Sequence, residues 1–274
     1  MKKYNRIYIN GASDVAGGGL YSDGARRYYK EKHNITYGSE KDATFGKFLA
    51  DSLGYEYVND ALCGSGLPRL IRSTYDYIRK HTIQQIKETI FILQIHNSIS
   101  RLEFYSTDIN DYIVTNVGYY PNGKLEWIES SNDYANPIKS ISEFENISKE
   151  LRTTLIKFHN PILYEQKIKM ELVGLLSFFK LYDIKFFVEN SDNSYWNLDK
   201  NFDNDFFNNE WFRNKIINID GYSGVTAWCT EKKKMLFDDT EGYSMDNHPS
   251  LFGHKEYAKL FQKFLIQKLE DSEN

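Results

Sequence analysis

A chain of 274 residues, 41% hydrophobic and 26% charged, is long enough to enclose a full core, and a single α/β domain spanning 1–274 is expected. The formal net charge of -4, with acidic and basic residues mixed throughout, creates no field that would gather a polyanion, so nucleic acid is excluded as an expected partner. The start, MKKYNRIYING, turns polar and glycine-rich before a secretory apolar core could form, and no run of 18 apolar residues follows. The expectation is therefore a cytoplasmic protein with no signal peptide, no transmembrane segment and no membrane partner. Two cysteines, Cys63 and Cys229, lie far apart without CxxC spacing and read as reduced structural thiols rather than a zinc or disulfide framework. Aromatic residues reach 16%, with 21 tyrosines, a surplus that suits a core and also sugar-facing surfaces.

In chain order, Arg6-Ile7-Tyr8-Ile9-Asn10 is short, β-branched and aromatic, and stops at Gly11; it predicts a buried strand ending in a turn. Residues 17–44 are polar and glycine-rich without a sustained period, and read as a long loop. Phe45, Phe48, Leu49 and Leu53 recur at helical spacing before Gly54, a helix stop. Tyr55-Glu56-Tyr57-Val58 predicts a second strand, residues 59–66 a turn, and Pro68 the opening of a helix running to about His81. Thr89 to Ile95 is the most apolar run in the chain and the best candidate for a central parallel strand. Strands alternating with helices in this way imply a parallel βαβ sheet.

Between about 101 and 140 the pattern changes. Tyr112-Ile113-Val114 and Leu125-Glu126-Trp127-Ile128 flank Pro121-Asn122-Gly123, a turn signal, and predict an inserted β-hairpin. Residues 143–181 are helical in period, and Ile184-Lys185-Phe186-Phe187-Val188 reads as a fourth core strand. Residues 189–212 show no clean period. From Gly253 to Leu269, Tyr257, Leu260, Phe261, Phe264, Leu265 and Leu269 share one helical face.

Four short segments lie where ligand sites of open α/β sheets gather, after core strands or before the last helix. Gly11-Ala12-Ser13-Asp14 puts a serine at a tight turn, where its hydroxyl can be exposed, although Ser is also a common helix cap. Gly64 and Asn97 follow the second and third strands. A glycine N–H and an asparagine amide can supply the donors that an acyl-transfer oxyanion needs, yet each alone reads as a turn or loop residue. Asp246-Asn247-His248-Pro249 offers a histidine with a carboxylate near enough to fix its tautomer and a proline to stiffen its turn.

Taken in order, these segments resemble the four blocks that define the SGNH (GDSL-like) hydrolase family of esterases and lipases. The resemblance implies a three-layer α/β/α sandwich with a central parallel sheet, flavodoxin-like in layout. It assigns Ser13 as nucleophile, Ser13, Gly64 and Asn97 to an oxyanion hole, and Asp246 with His248 to a Ser-His-Asp triad. The pattern departs from the family at Ala12 in place of the aspartate of GDS, and at Ile95 and Ser98 in block three. It departs again at Met245, where the family spaces its aspartate, leaving Asp246 closer to the histidine and Asp238 and Asp239 in reserve.

The G-x-S-x-G elbow and nucleotide-binding glycine motifs are absent. His254 is the second-ranked base, because it falls at the start of the last helix. Arg101, Arg26 and Arg27 could each hold a substrate carboxylate or phosphate, with solvated salt-bridging as the ordinary use. The implied activity is hydrolysis of an acyl ester, with an acetyl group on a carbohydrate preferred, needing neither metal nor organic cofactor. Transfer of the acyl group to a sugar hydroxyl, or a non-catalytic module on the same scaffold, are the alternatives that the sequence leaves open.

Overall fold

The computed structural model describes residues 3–20, 22–95, 101–106, 111–119, 125–127, 161–190, 207, 209–236 and 248–271. Its strands are β1 (Arg6–Asn10), β2 (Glu56–Asn59), β3 (Thr89–Ile95), β4 (Arg101–Ser106), β5 (Asp111–Tyr119), β6 (Leu125–Trp127) and β7 (Phe186–Asn190). Its helices are α1 (Ser13–Ala16), α2 (Asp23–His33), α3 (Phe45–Leu53), α4 (Leu67–Arg79), α5 (Ile83–Lys87), α6 (Pro161–Leu181), α7 (Glu210–Arg213), α8 (Val225–Glu231) and α9 (Leu251–Glu270), with a 3-10 turn at Glu40–Ala43.

Four strands form an all-parallel sheet in the order β2-β1-β3-β7, the doubly wound arrangement in which a topological switch lies beside β1. Side chains alternate across each strand and so feed two cores. Tyr8, Phe91, Leu93, Phe186 and Val188 pack against α4 and α6. Ile7, Ile9, Ile90, Ile92 and Phe187 pack against α3, α8 and α9. Helices thus cover both faces, giving three layers with the sheet in the middle. β3 is buried along its whole length, which is why its sequence is apolar apart from Thr89 and Gln94. Truncating a ring such as Phe91 to alanine there costs about 3–5 kcal/mol in lost burial and residual cavity.

Three elements differ from the sequence expectation. The 17–44 stretch contains α2, a helix of 11 residues capped by Ser22, whose side chain accepts from Ala25 N–H. Its buried face is only Ala25, Tyr28 and Tyr29, too narrow to set a period in a run dominated by charge. The inserted segment is a three-stranded antiparallel sheet, β4-β5-β6, rather than a single hairpin; β5 and β6 pair Val117 with Trp127 around the predicted turn. The fourth core strand extends to Asn190, two residues beyond the predicted end, because Glu189 and Asn190 are polar yet pair with Gln94 and Ile95 of β3. Cys63 and Cys229 are not joined in a disulfide. Among the described residues no helix is long and apolar enough to cross a membrane.

Candidate active site

β1 ends at Asn10, a fully buried asparagine that fastens the strand end to α4. Its amide nitrogen lies 3.0 Å from Leu70 O and 2.8 Å from Ser73 Oγ, and its Oδ1 accepts Gly11 N–H at 2.9 Å. Gly11 has no room for a side chain: a Cβ there would fall 2.5 Å from Gln94 Cβ. Ala12 then serves as the N-cap of α1, and Ser13 opens this short helix half-buried. The helix stops at Gly17, whose φ of 86° is left-handed and whose missing Cβ admits Glu40 O.

The glycine run next to α1 brings the serine and histidine segments together. A methyl group at Gly18 would lie 2.8 Å from Ser13 Cβ and 2.8 Å from both Cδ2 and Nε2 of His248. Two atoms each 2.8 Å from one point are at most twice that, 5.6 Å, apart, so His248 Nε2 lies no more than 5.6 Å from Ser13 Cβ. His248 is half-buried, its carbonyl accepts Leu236 N–H at 2.9 Å, and two residues on Ser250 N–H donates to Lys234 O at 2.8 Å. These flank an antiparallel bridge between Met235 and Pro249. Ser250 caps α9 immediately afterwards, accepting Gly253 N–H at 3.0 Å.

Gly64 sits in a turn tied to the serine turn, since Leu62 N–H and Ser65 Oγ both donate to Gly11 O, at 3.2 Å and 2.8 Å. Its φ of 77° favours glycine. Among the described residues neither the Ser13 nor the Gly64 N–H has an acceptor, which leaves both available to an oxygen that develops negative charge. Asn97 and Asp246 lie outside the described residues, as do Asp238 and Asp239. Arg101 is described only in its backbone, as the first residue of β4.

His254, the second-ranked base, is fully buried in the first turn of α9. Its Nδ1 accepts Phe45 N–H at 3.2 Å, the first amide of α3. Burial pushes its pKa down to about 3, with His248 contributing further in the same direction. A neutral ring committed to capping a helix has no lone pair left for a serine proton, so His254 is structural.

Two polar side chains that the sequence reading passed over stand behind Ser13. Gln94 Oε1 accepts Ala12 N–H at 2.8 Å, and Gln94 Nε2 donates to Asp14 Oδ2 at 3.3 Å. Glu189, beside it in register, is fully buried, and its Oε1 accepts Val225 N–H at 2.5 Å. Burial pushes the Glu189 carboxyl up to about 8; the Val225 N–H opposes this, Asp14 adds to it, and the nearby Gln94 amide opposes it. The signal was present in the sequence as one glutamine inside the most apolar strand. Among the described residues no three His, Cys, Asp or Glu side chains converge as a metal site.

Fold and site together define an α/β protein with a serine and a histidine converging at the carboxyl edge of a parallel sheet. No protein-family model matches the sequence, and no curated protein matches it significantly. Among solved structures, an acetyl xylan esterase from the rumen bacterium Butyrivibrio proteoclasticus aligns with 97% of this chain at 11% identity and a TM-score of 0.48. A carbohydrate esterase family 2 enzyme with a carbohydrate-binding domain, from Corynascus thermopiles (Myceliophthora fergusii), aligns with 97% at 12% identity and a TM-score of 0.37. The chain spans 65% and 67% of the lengths of these two proteins. At such scores the likeness assigns no residue roles.

Proposed function

We propose that this protein is a carboxylic ester hydrolase in which Ser13 is the nucleophile and His248 the general base. The observation that carries the reading is the convergence of Ser13 Cβ and His248 Nε2 on Gly18, each 2.8 Å from where its Cβ would stand. His248 Nε2 takes the Ser13 hydroxyl proton as Oγ attacks the ester carbonyl. The carbonyl oxygen becomes an oxyanion facing the Ser13 and Gly64 N–H groups, with the Asn97 side chain as the third donor by family resemblance. Collapse breaks the ester C–O bond, and the departing alcohol takes the proton from His248. Water, deprotonated in turn by His248, then attacks the acyl-enzyme and releases the acid and free Ser13. Asp246 is assigned to orient His248 without itself taking the proton. The substrate class that follows from the sequence resemblance is a small acyl group, acetyl first, esterified to a carbohydrate.

A fluorophosphonate probe tests this without knowledge of the substrate, because only an activated serine attacks phosphorus at neutral pH. The folded protein should be labelled once, on Ser13. Ser13→Ala should abolish labelling and His248→Ala should suppress it nearly as far, since members of one catalytic unit are strongly non-additive. A wild-type protein that stays unlabelled beside a labelled control esterase refutes the reading.

A further inference from the structure

α9 runs antiparallel to β7, and their contacts form a ladder. Lys185, just before the strand, sets its Nζ 3.3 Å from Lys268 O near the end of the helix. Next, the Phe187 ring lies 5.7 Å from that of Phe264 and 6.5 Å from that of Phe261. One further step along each element, about 6.6 Å for two strand residues and about 6 Å for four helical ones, brings Glu189 opposite Tyr257. The first turn of α8 closes the space beside them: Glu189 Oε1 accepts Val225 N–H at 2.5 Å, and the Trp228 ring lies 5.8 Å from the Tyr257 ring.

Glu189 and Tyr257 are both fully buried. Yet Glu189 Oε2, Tyr257 Oη and Thr226 Oγ1, the last from the same turn of α8, have no hydrogen-bond partner among the described residues. The carboxyl and the phenol thus face each other across more than a hydrogen-bond length. The Gln94 amide is near Glu189 but completes no hydrogen bond to Oε2. A fourth such atom, His254 Nε2, sits one turn along α9 and is not counted with these three, because its ring is turned onto the start of α3 by the Phe45 contact. Each buried oxygen left dry carries its full desolvation cost, and three on converging elements call for a common partner.

We propose that this chain binds one structural water molecule between β7, α8 and α9, bridging Glu189 Oε2, Tyr257 Oη and Thr226 Oγ1. Water suits the gap because it brings two donors and two acceptors without charge, and buried waters typically make about three hydrogen bonds to such groups. A calcium ion would ask for about six to eight oxygens, against these three. The water joins one oxygen from each of three elements, and so pins both helices to the tip of the strand.

A high-resolution crystal structure of the full chain should show one density peak about 2.5–3.0 Å from both Glu189 Oε2 and Tyr257 Oη, with Thr226 Oγ1 as the third neighbour. An empty space there, a direct hydrogen bond between Glu189 and Tyr257, or a peak inside the crowded oxygen shell of a cation overturns the proposal. Thermal unfolding is the second measurement, with Y257F and T226V each deleting one hydroxyl at nearly constant shape. Removing a hydroxyl that nothing holds relieves a desolvation cost and leaves the midpoint level or raises it, whereas removing one that holds the water strands its fellows. Each variant should therefore lower Tm by about 2–4 °C. The double variant should fall by less than the two shifts combined, because the first deletion already loosens the water. A Y257F midpoint at or above that of wild type, or strictly additive shifts, overturns the proposal.

Discussion

Gly18 is the residue on which the candidate site turns, and its role is to be absent as a side chain. A Cβ there would meet the His248 ring and Ser13 Cβ at 2.8 Å, and neither can retreat freely. His248 is held by the bridge at Pro249, and Ser13 by the Gly11 and Gly17 turns that bracket it. Gly18→Ala should therefore displace base from nucleophile by a good fraction of an ångström and lower the fluorophosphonate labelling rate by on the order of 10²-fold. Gly174, in the middle of α6, is the control, because its nearest atom to a new Cβ would be Tyr75 Oη at 3.6 Å. Gly174→Ala should leave labelling unchanged and raise stability by about 0.5–1 kcal/mol, through the better helix propensity of alanine. In the sequence, Gly17, Gly18 and Gly19 read only as a breaker. Why glycine is needed at 17 and 18 becomes visible only when residues 40 and 248 arrive beside them.

At the scale of elements, what was legible and what was not separate along physical lines. β3 could be read to the residue from Thr89 to Ile95 because both of its faces are enclosed and every position is apolar or fully buried. α3 and its Gly54 stop were equally plain, since one face packs on the sheet and the stop is a left-handed glycine at φ 66°. The end of β7 was misplaced because Glu189 and Asn190 belong to the strand for the sake of what lies at its tip. Polarity at a strand end mimics a loop when the partner residues are distant in sequence. At β1 the end was read correctly at Asn10, but the clamp that Asn10 makes onto α4 was not legible, because Leu70 and Ser73 lie some sixty residues on. Asn10→Ala should leave Leu70 O, Ser73 Oγ and the Gly11 N–H each short of a partner and destabilise the protein by about 2 kcal/mol. Urea unfolding would check this as a lowered midpoint at unchanged slope. A midpoint within about 0.3 kcal/mol of wild type would show that water replaces the clamp. The serine and histidine segments of the site were legible as motifs; the arrangement that supports them was not, because it is built from single polar residues contributed by four separate elements.

For the whole molecule, two fully buried titratable groups set opposite pH slopes on folding. Glu189 has its carboxyl raised from an ordinary 4.5 to about 8, so the folded chain holds a proton that the unfolded chain releases. Stability from this group is complete below about pH 4.5 and is lost as pH rises through about 8. His254 is lowered from 6.5 to about 3, so the unfolded chain takes up a proton that the folded chain refuses. Its contribution is complete above about pH 6.5 and is lost as pH falls through about 3. Protonation there also destroys the Nδ1 acceptor of Phe45 N–H, so charge and cap fail together. Between about 4.5 and 6.5 the two slopes cancel, which places a stability plateau in that window. Above it, of these two groups only Glu189 acts, at about 1.4 kcal/mol per pH unit, which amounts to about 2 kcal/mol between pH 6.5 and 8. Chemical unfolding of wild type and E189Q at half-unit pH steps should show the wild type losing that amount across the alkaline window, while E189Q stays level. Equal slopes in the two proteins would mean that Glu189 is already ionised in the fold. His254→Gln should instead remove the rise in stability between about pH 3 and 4.5, turn the plateau between about 4.5 and 6.5 into the falling Glu189 slope that His254 otherwise offsets, and leave the slope between 6.5 and 8 intact, because each group senses the pH only through its own buried proton.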